Sequence, residues 1–280
     1  MYMQLEDEFG DIIGKSRRGQ ELSVADLAER AKVDAEVISR MEAYEQTPDD
    51  GTIGLLATAL GLSRDKLKVS ASRGFFPLYP NGRGVYDLIV EMMVLGSDFL
   101  MNGYVVGCPQ SRQGAVVDPG FDAEKILRTV ESTGLEIQRV LLTHGHGDHI
   151  GALSEICQAT GAPALINDRD IHLLGDLRTK VEGTIQDGET IQLGNASFEA
   201  RLTPGHTEGG MSLVHREVAF VGDALFAGSL GGTRSRTDYD RQRKAVDDHL
   251  LALDQSVVLY PGHGPATTVG EEQVNNPFYS

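Results

Sequence analysis

Thr143-His144-Gly145-His146-Gly147-Asp148-His149 places three imidazoles and one carboxylate within a few residues of one another. Gly145 and Gly147 let the backbone turn sharply, so neighbouring side chains can aim at a common point. Imidazole and carboxylate together suit zinc, iron or manganese. A solvated histidine-rich loop is the bland alternative. It fits a lone histidine better than four clustered donors.

Further donors recur downstream in similar settings: His206 in Thr203-Pro204-Gly205-His206-Thr207, Asp223 in Val221-Gly222-Asp223-Ala224, and His263 in Tyr260-Pro261-Gly262-His263-Gly264. Each follows a short apolar run that reads as a strand, over 198–202, 218–221 and 257–260. Ligands at strand ends, on loops held by a sheet, are how a rigid scaffold presents a site. Five of the eight histidines fall in these motifs. His172, His215 and His249 lie in ordinary helix or strand context and read as structural or surface residues. Cys108 and Cys157 fall in no donor motif and read as packing residues.

At 280 residues with 40% apolar content, the chain has ample material for one large or two modest soluble domains. No basic-then-apolar leader opens it and no run approaches a membrane span, so the expected setting is cytoplasmic, with no membrane contact. Two cysteines suggest no disulfide framework. A formal net charge of −16 disfavours phosphate backbones and weakens a nuclease reading. Arg234, Arg236, Arg241, Arg243 and Lys244 form a local basic exception.

The pattern predicts an α+β chain. Residues 1–69 read as short helices: a first from Leu5 to Ile13, a second capped by Ser23, a third carrying Val37, Ile38 and Met41, a fourth opened by Thr52 and ended by Gly61, then a last turn over 62–67. Residues 70–84 are dense in Gly and Pro and read as a linker. Its apolar members, Phe75, Phe76, Leu78 and Tyr79, predict packing against a domain, or one wall of a site. Residues 85–280 read as the catalytic domain. Strands are expected over 88–95, 104–106, 115–117, 139–143, 164–166, 190–193, 196–202, 211–215 and 217–221. Helices are expected over 122–132, 150–160 and 240–253, with Asn167 and Asp168 capping another.

His-x-His-x-Asp-His followed by Pro-Gly-His, Gly-Asp and Pro-Gly-His resembles the metallo-β-lactamase superfamily over roughly residues 85–270. The resemblance implies an αββα sandwich with a two-metal site at one edge. His144, His146 and His206 would hold the first cation, Asp148, His149 and His263 the second, and Asp223 would bridge. Two divalent ions, zinc or iron with manganese also open, would then generate a metal-bound hydroxide. Asp148 and Asp223 are the candidate catalytic carboxylates, and Asp118 in Asp118-Pro119-Gly120 a buttress for a ligand imidazole.

Gly222-Asp223-Ala224-Leu225-Phe226-Ala227-Gly228-Ser229-Leu230-Gly231 and Pro261-Gly262-His263-Gly264-Pro265-Ala266-Thr267 look like the glyoxalase II-like group. That implies hydrolysis of a thioester of the hydroxyacylglutathione type or another small acyl substrate. A mononuclear-iron persulfide dioxygenase and a nuclease of the same fold stay open as alternatives.

The first segment, with Leu22 to Ala28, Val33, Val37 to Glu42 and Leu55 to Leu62, resembles Cro/repressor helix-turn-helix domains. In that family the third helix enters the major groove by its first residues. Here those are Asp34, Ala35 and Glu36. Residues 1–69 carry nine basic against fourteen acidic side chains, a net of −5, which disfavours DNA as a partner. Dimerisation, substrate covering or a DNA-binding regulator with a metal-dependent sensor domain are the readings this segment leaves.

Overall fold

The computed structural model describes residues 4–82, 84 and 87–280; the expected start of the catalytic segment at Val85 lies outside them. Five helices come first: α1 (Phe9–Gly19), α2 (Val24–Ala31), α3 (Ala35–Glu42), α4 (Asp50–Leu60) and α5 (Arg64–Ala71). Their caps explain their starts. Ser23 and Asp26 satisfy each other's backbone N–H in a capping box before α2. Asp49 accepts from the Thr52 N–H at 2.7 Å, so α4 begins at Asp50, not at Thr52. Glu8 and Asp11 set the start of α1, which leaves Leu5 outside the helix. The last segment is an eight-residue helix rather than a single turn.

Two six-stranded sheets follow. The first contains β1 (Ile89–Leu95), β2 (Met101–Gly107) and β3 (Gln113–Val117), then α6 (Ala123–Thr133), β4 (Glu136–Leu141), α7 (Gly147–Ile150), α8 (Leu153–Thr160), β5 (Ala164–Ile166), a 3-10 stretch (Asp168–Lys180) and β6 (Val181–Thr184). The second contains β7 (Thr190–Leu193), β8 (Ala196–Leu202), β9 (Met211–Val214) and β10 (Val218–Gly222). It continues through α9 (Arg236–His249), β11 (Val258–Pro261), β12 (Thr267–Thr268) and α10 (Val269–Asn275).

Side-chain alternation assigns the layers. On β10, Val218 and Phe220 join the core that also holds Tyr104, Phe198 and Tyr260, while Ala219 and Val221 join the opposite one. On β2, Tyr104 and Val106 face that shared core; Met101 and Val105 pack with Ile126, Leu153 and Ile156 of α6 and α8. The result is helices, sheet, sheet, helices, as the resemblance implies.

The outer layer on the second sheet is partly built by the N-terminal helices. Ile12, Ile13, Leu27, Ile38 and Leu56 belong to one buried cluster with Leu225, Leu230, Tyr239, Val246 and Phe278. Ser16 Oγ lies 2.9 Å from Tyr239 Oη, Ser63 N donates to Pro277 O, and Lys66 Nζ donates to Gln273 O and Tyr279 O. Gly19 is fixed by this contact, since a Cβ there would sit 2.5 Å from the Tyr239 ring. The segment after α5 is pinned too: Ala266 N donates to Pro80 O and Leu78 N to Glu271 Oε1.

Several boundaries differ from the expectation. The helix expected over 150–160 is broken, because Gly151 packs against Gly120 and Ala152 N donates to Pro119 O. The Ser235 cap starts α9 at Arg236, four residues before the expected Asp240. Strand β4 runs over 136–141 instead of 139–143. Short β6, β12 and α10 carry too little periodic pattern to be read beforehand. Among the described residues, no helix is long and apolar enough to cross a membrane.

Glu272 ties α10 to the loop after β10. Its buried carboxylate accepts from Gly228 N, Thr267 Oγ1 and Asn276 Nδ2. Burial raises its pKa from 4.5 to about 7 against those hydrogen bonds. The native state thus holds this proton to higher pH than the unfolded chain. The contribution is full below pH 4.5 and is lost as pH rises through about 7. In urea unfolding, Glu272→Gln should flatten the fall of stability across that window by up to about 3 kcal/mol. An unchanged pH slope would show that Glu272 is already ionised in the folded protein.

Candidate metal centre

The donors stand at one shared end of the two sheets. Strand β4 leads into the first motif, and Asp118, at the end of β3, fixes that loop. Its Oδ1 accepts from Thr143 N at 2.8 Å, and its Oδ2 from Thr143 Oγ1 at 2.6 Å and His149 Nδ1 at 2.9 Å. The single turn of α7 turns Asp148 and His149 toward the loops from the second sheet. The turn after β8 brings in His206, β10 ends one residue before Asp223, and β11 leads to His263. Gly222 (φ 50°) has no room for a side chain, since a Cβ would lie 2.4 Å from Thr143 Oγ1. At Gly262 a Cβ would lie 2.1 Å from Asp223 Oδ1.

Two groups of donor atoms result. His144, His146 and His206 converge within 4.8 Å, and so do Asp148, His149 and His263. Asp223 faces both: Oδ2 lies 3.3 Å from His206 Nε2 and 3.6 Å from His263 Nε2, and Oδ1 lies 3.4 Å from His149 Nε2. Asp148 Oδ2 is 3.3 Å from His263 Nε2. All seven expected site residues therefore meet. His172, His215 and His249 stand outside these two groups; His215 instead clusters with Asp87 and Glu217.

The ring nitrogens facing away from the centre are occupied. His149 Nδ1 donates to Asp118, His206 Nδ1 to Gly232 O, His263 Nδ1 to Leu100 O, and His144 Nδ1 lies 3.2 Å from Thr143 Oγ1. Such partners orient metal-binding imidazoles. The inward atoms are the reverse case. His144 Nε2, His149 Nε2 and Asp223 Oδ1 are buried with no hydrogen-bond partner. His206 Nε2 and His146 Nδ1 face each other at 2.9 Å. Leaving such atoms unpaired costs about 1–3 kcal/mol each. Cations among them remove that cost, so the donor set fits two metals.

Burial would lower His149, but in the bare protein Asp223 and Asp118 outweigh it and lift its pKa well above its ordinary value, so this ring carries positive charge that a cation would replace. Burial drives the His144 pKa well below its ordinary value and keeps the ring neutral. Burial would raise Asp223, but the His149 and His206 imidazoles outweigh it and hold the carboxylate well below its usual range.

Reading the sequence missed other participants. Buried Asp170 accepts from Gly145 N at 3.3 Å and Gly209 N at 2.7 Å, so it ties the two histidine loops together. Phe99 and Phe226 set their rings 5.2 and 5.6 Å from His263. Glu6 comes from the segment before α1: its backbone N lies 3.0 Å from where a Gly264 Cβ would sit. No sequence pattern links it to His263. A groove of about 260 Å³ opens beside His146 and His206, with Arg234 and His172 on its walls. The rest of the basic cluster is engaged: Arg236 with Asp240, Arg241 with Asp238, Lys244 with Asp248, and Arg243 with Phe278 O.

Comparison with known proteins accords with this geometry. The metallo-beta-lactamase superfamily profile matches residues 99–263, and a helix-turn-helix profile matches residues 13–67. The chain is 34% identical over 185 residues to a Haemophilus influenzae protein named hydroxyacylglutathione hydrolase GloC, covering 60% of this chain and 87% of that one. Among solved structures, the BLEG-1 B3 metallo-beta-lactamase aligns with a TM-score of 0.61 at 26% identity, covering 69% of this chain and all of that one. TTHA1623 in a di-iron-bound form aligns with a TM-score of 0.55 at 28% identity, covering 66% and 98%. The chain belongs to the metallo-beta-lactamase superfamily, as a metal-dependent hydrolase with an N-terminal helix-turn-helix domain.

Proposed function

We propose that this hydrolase cleaves a small acyl thioester, of the hydroxyacylglutathione type or a near chemical relative, at a centre of two zinc or iron ions. The carrying observation is that His144 Nε2, His149 Nε2 and Asp223 Oδ1 are buried without hydrogen-bond partners inside two adjoining donor groups. His144, His146 and His206 would hold one ion, Asp148, His149 and His263 the other, with Asp223 between them. When bound, two such cations acidify water and polarise a carbonyl.

The chain's own groups do the rest. Asp118 accepts from His149 Nδ1, which directs Nε2 inward, where its lone pair would meet a bound cation. Asp223 supplies negative charge where two cations would otherwise repel. Asp148, partly exposed, sets its Oδ2 3.3 Å from His263 Nε2 and completes the second donor trio. Neither cysteine belongs to the two donor groups, so a protein-bound acyl intermediate has no support from them. The thioester class rests on the named Haemophilus relative. Two separate donor trios favour a dinuclear centre over a single iron. Free Cys108 and Cys157 fit a reducing, cytoplasmic setting.

A DNA-reading role is the second proposal, and the helix-turn-helix match is what favours it. The exposed start of α3 opposes it, since Asp34 and Glu36 would meet phosphates there. Arg17 is held by Glu42, and Arg40 pairs with Glu36. We therefore assign these helices a packing and site-building role.

His146→Ala and Asp223→Ala should abolish thioester turnover and lower bound metal, from about two ions per chain, by elemental analysis. Full metal content in both variants would refute the assignment. Asp118→Asn should weaken metal binding about 10–100-fold, read by chelator competition. Anisotropy titrations with genomic fragments at about 0.15 M salt should show no sequence-selective binding; tight selective binding would restore the DNA role.

A further inference from the structure

A cleft of about 400 Å³ lies where the N-terminal helices, the segment after α5 and the loop after β10 meet. Its apolar wall comes from Leu5, Ile12, Phe75, Phe76 and Ala227. Phe76 is 47% exposed, a large apolar face left to solvent beside a centre that needs a substrate. Glu6 and Phe226 each adjoin a residue that lines this cleft and lie near His263. Glu6 sits between two cleft residues, Leu5 and Asp7, and lies within electrostatic reach of His263 and Asp223. Phe226 precedes Ala227 and sets its ring edge on His263.

Charge defines what this cleft can accept. Asp7 and Glu8 line its edge, and Glu6 between Leu5 and Asp7 lies toward His263. Lys15 is committed to Asp7 and to Leu230 O, and Arg73 to Glu8. The two lining carboxylates are thus paired, and the cleft edge keeps no unengaged Lys or Arg among the described residues. Glutathione presents two carboxylates and one ammonium on its thiol arm, and this edge has no free cation to receive the carboxylates. The groove beside His146 and His206 is smaller and carries Arg234, which suits a short hydroxyacyl or carboxylate-bearing group.

We propose that this interdomain cleft binds the thiol arm of the substrate, and that this arm is apolar and neutral or cationic. The proposal rests on the thioester-hydrolase reading for its chemistry. Hydrolysis is balanced by water alone: oxygen adds to the acyl carbon, the carbon–sulfur bond breaks, and the thiol leaves with a proton. The cleft assigns the N-terminal domain a part in selectivity.

The test uses the full-length, metal-loaded enzyme and one acetyl group on four thiols: benzyl mercaptan, thiocholine, glutathione and methanethiol. Benzyl and thiocholine esters should exceed S-acetylglutathione in kcat/KM by about tenfold or more. Phe76→Ala should raise KM for the benzyl ester about tenfold and leave KM for the armless methyl ester little changed. Saturation-transfer NMR with benzyltrimethylammonium should detect binding that Phe76→Ala and Glu6→Gln weaken. Circular dichroism and metal content confirm that each variant is folded.

Preference for S-acetylglutathione, with probe binding indifferent to Phe76→Ala, would overturn the cleft assignment and leave the hydrolase reading standing. No cleavage of any thioester, with probe binding still lost in Phe76→Ala, would sink the hydrolase reading and keep the cleft as a ligand site.

Discussion

Imidazole lone pairs and carboxylates crowded into a water-poor pocket repel one another unless positive charge sits among them. Everything at the shared end of the two sheets follows from this constraint. Asp118 and Asp170 hold loops that would otherwise move apart. Outward ring nitrogens find backbone oxygens or a carboxylate, so that inward ones keep their lone pairs free. Glycines stand at 222 and 262 because a methyl group there would push into Thr143 or Asp223. The site therefore looks unfavourable as bare protein and favourable as a metal complex, the usual thermodynamic condition of a built metal centre.

The centre was legible in the sequence because its donors lie in short motifs with their own turn chemistry. His144 to His149, His206, Asp223 and His263 each sit beside Gly or Pro, after an apolar run, and each meets the others where expected. The hairpins over 190–202 and 211–222 were legible for the same local reason, since alternation and a tight turn are both written in adjacent residues. Asp170, Phe226 and Glu6 were not. Their roles depend on which distant loop passes nearby, and no local spacing encodes that. The start of α9 was hidden because its first turn is polar and its cap, Ser235, lies in a run of similar residues.

The N-terminal helices carry the helix-turn-helix fold with much of its surface packed on the second sheet's outer layer. A helix-turn-helix module that reads DNA leaves a basic face free and hangs from a tether. Here the guanidinium of Arg17 is bound bidentately by Glu42, the start of α3 is acidic, and α1 lies on α9. Tyr239, Leu230 and Phe278 close the same core as Ile12 and Ile13. The residues just before α1 then reach the rim of the metal site, which is a consequence of that docking and not of the helix-turn-helix motif itself.

That shared core has a bearing on biosynthesis. The five helices are synthesised before the surfaces that cover them, which come from Leu225 through Tyr279. Until β11 and α10 emerge, the buried side of α1 lacks the partners that close its core. Phe278 and Tyr279, both buried in that shared core, thus join helices and strands that lie far apart in the sequence.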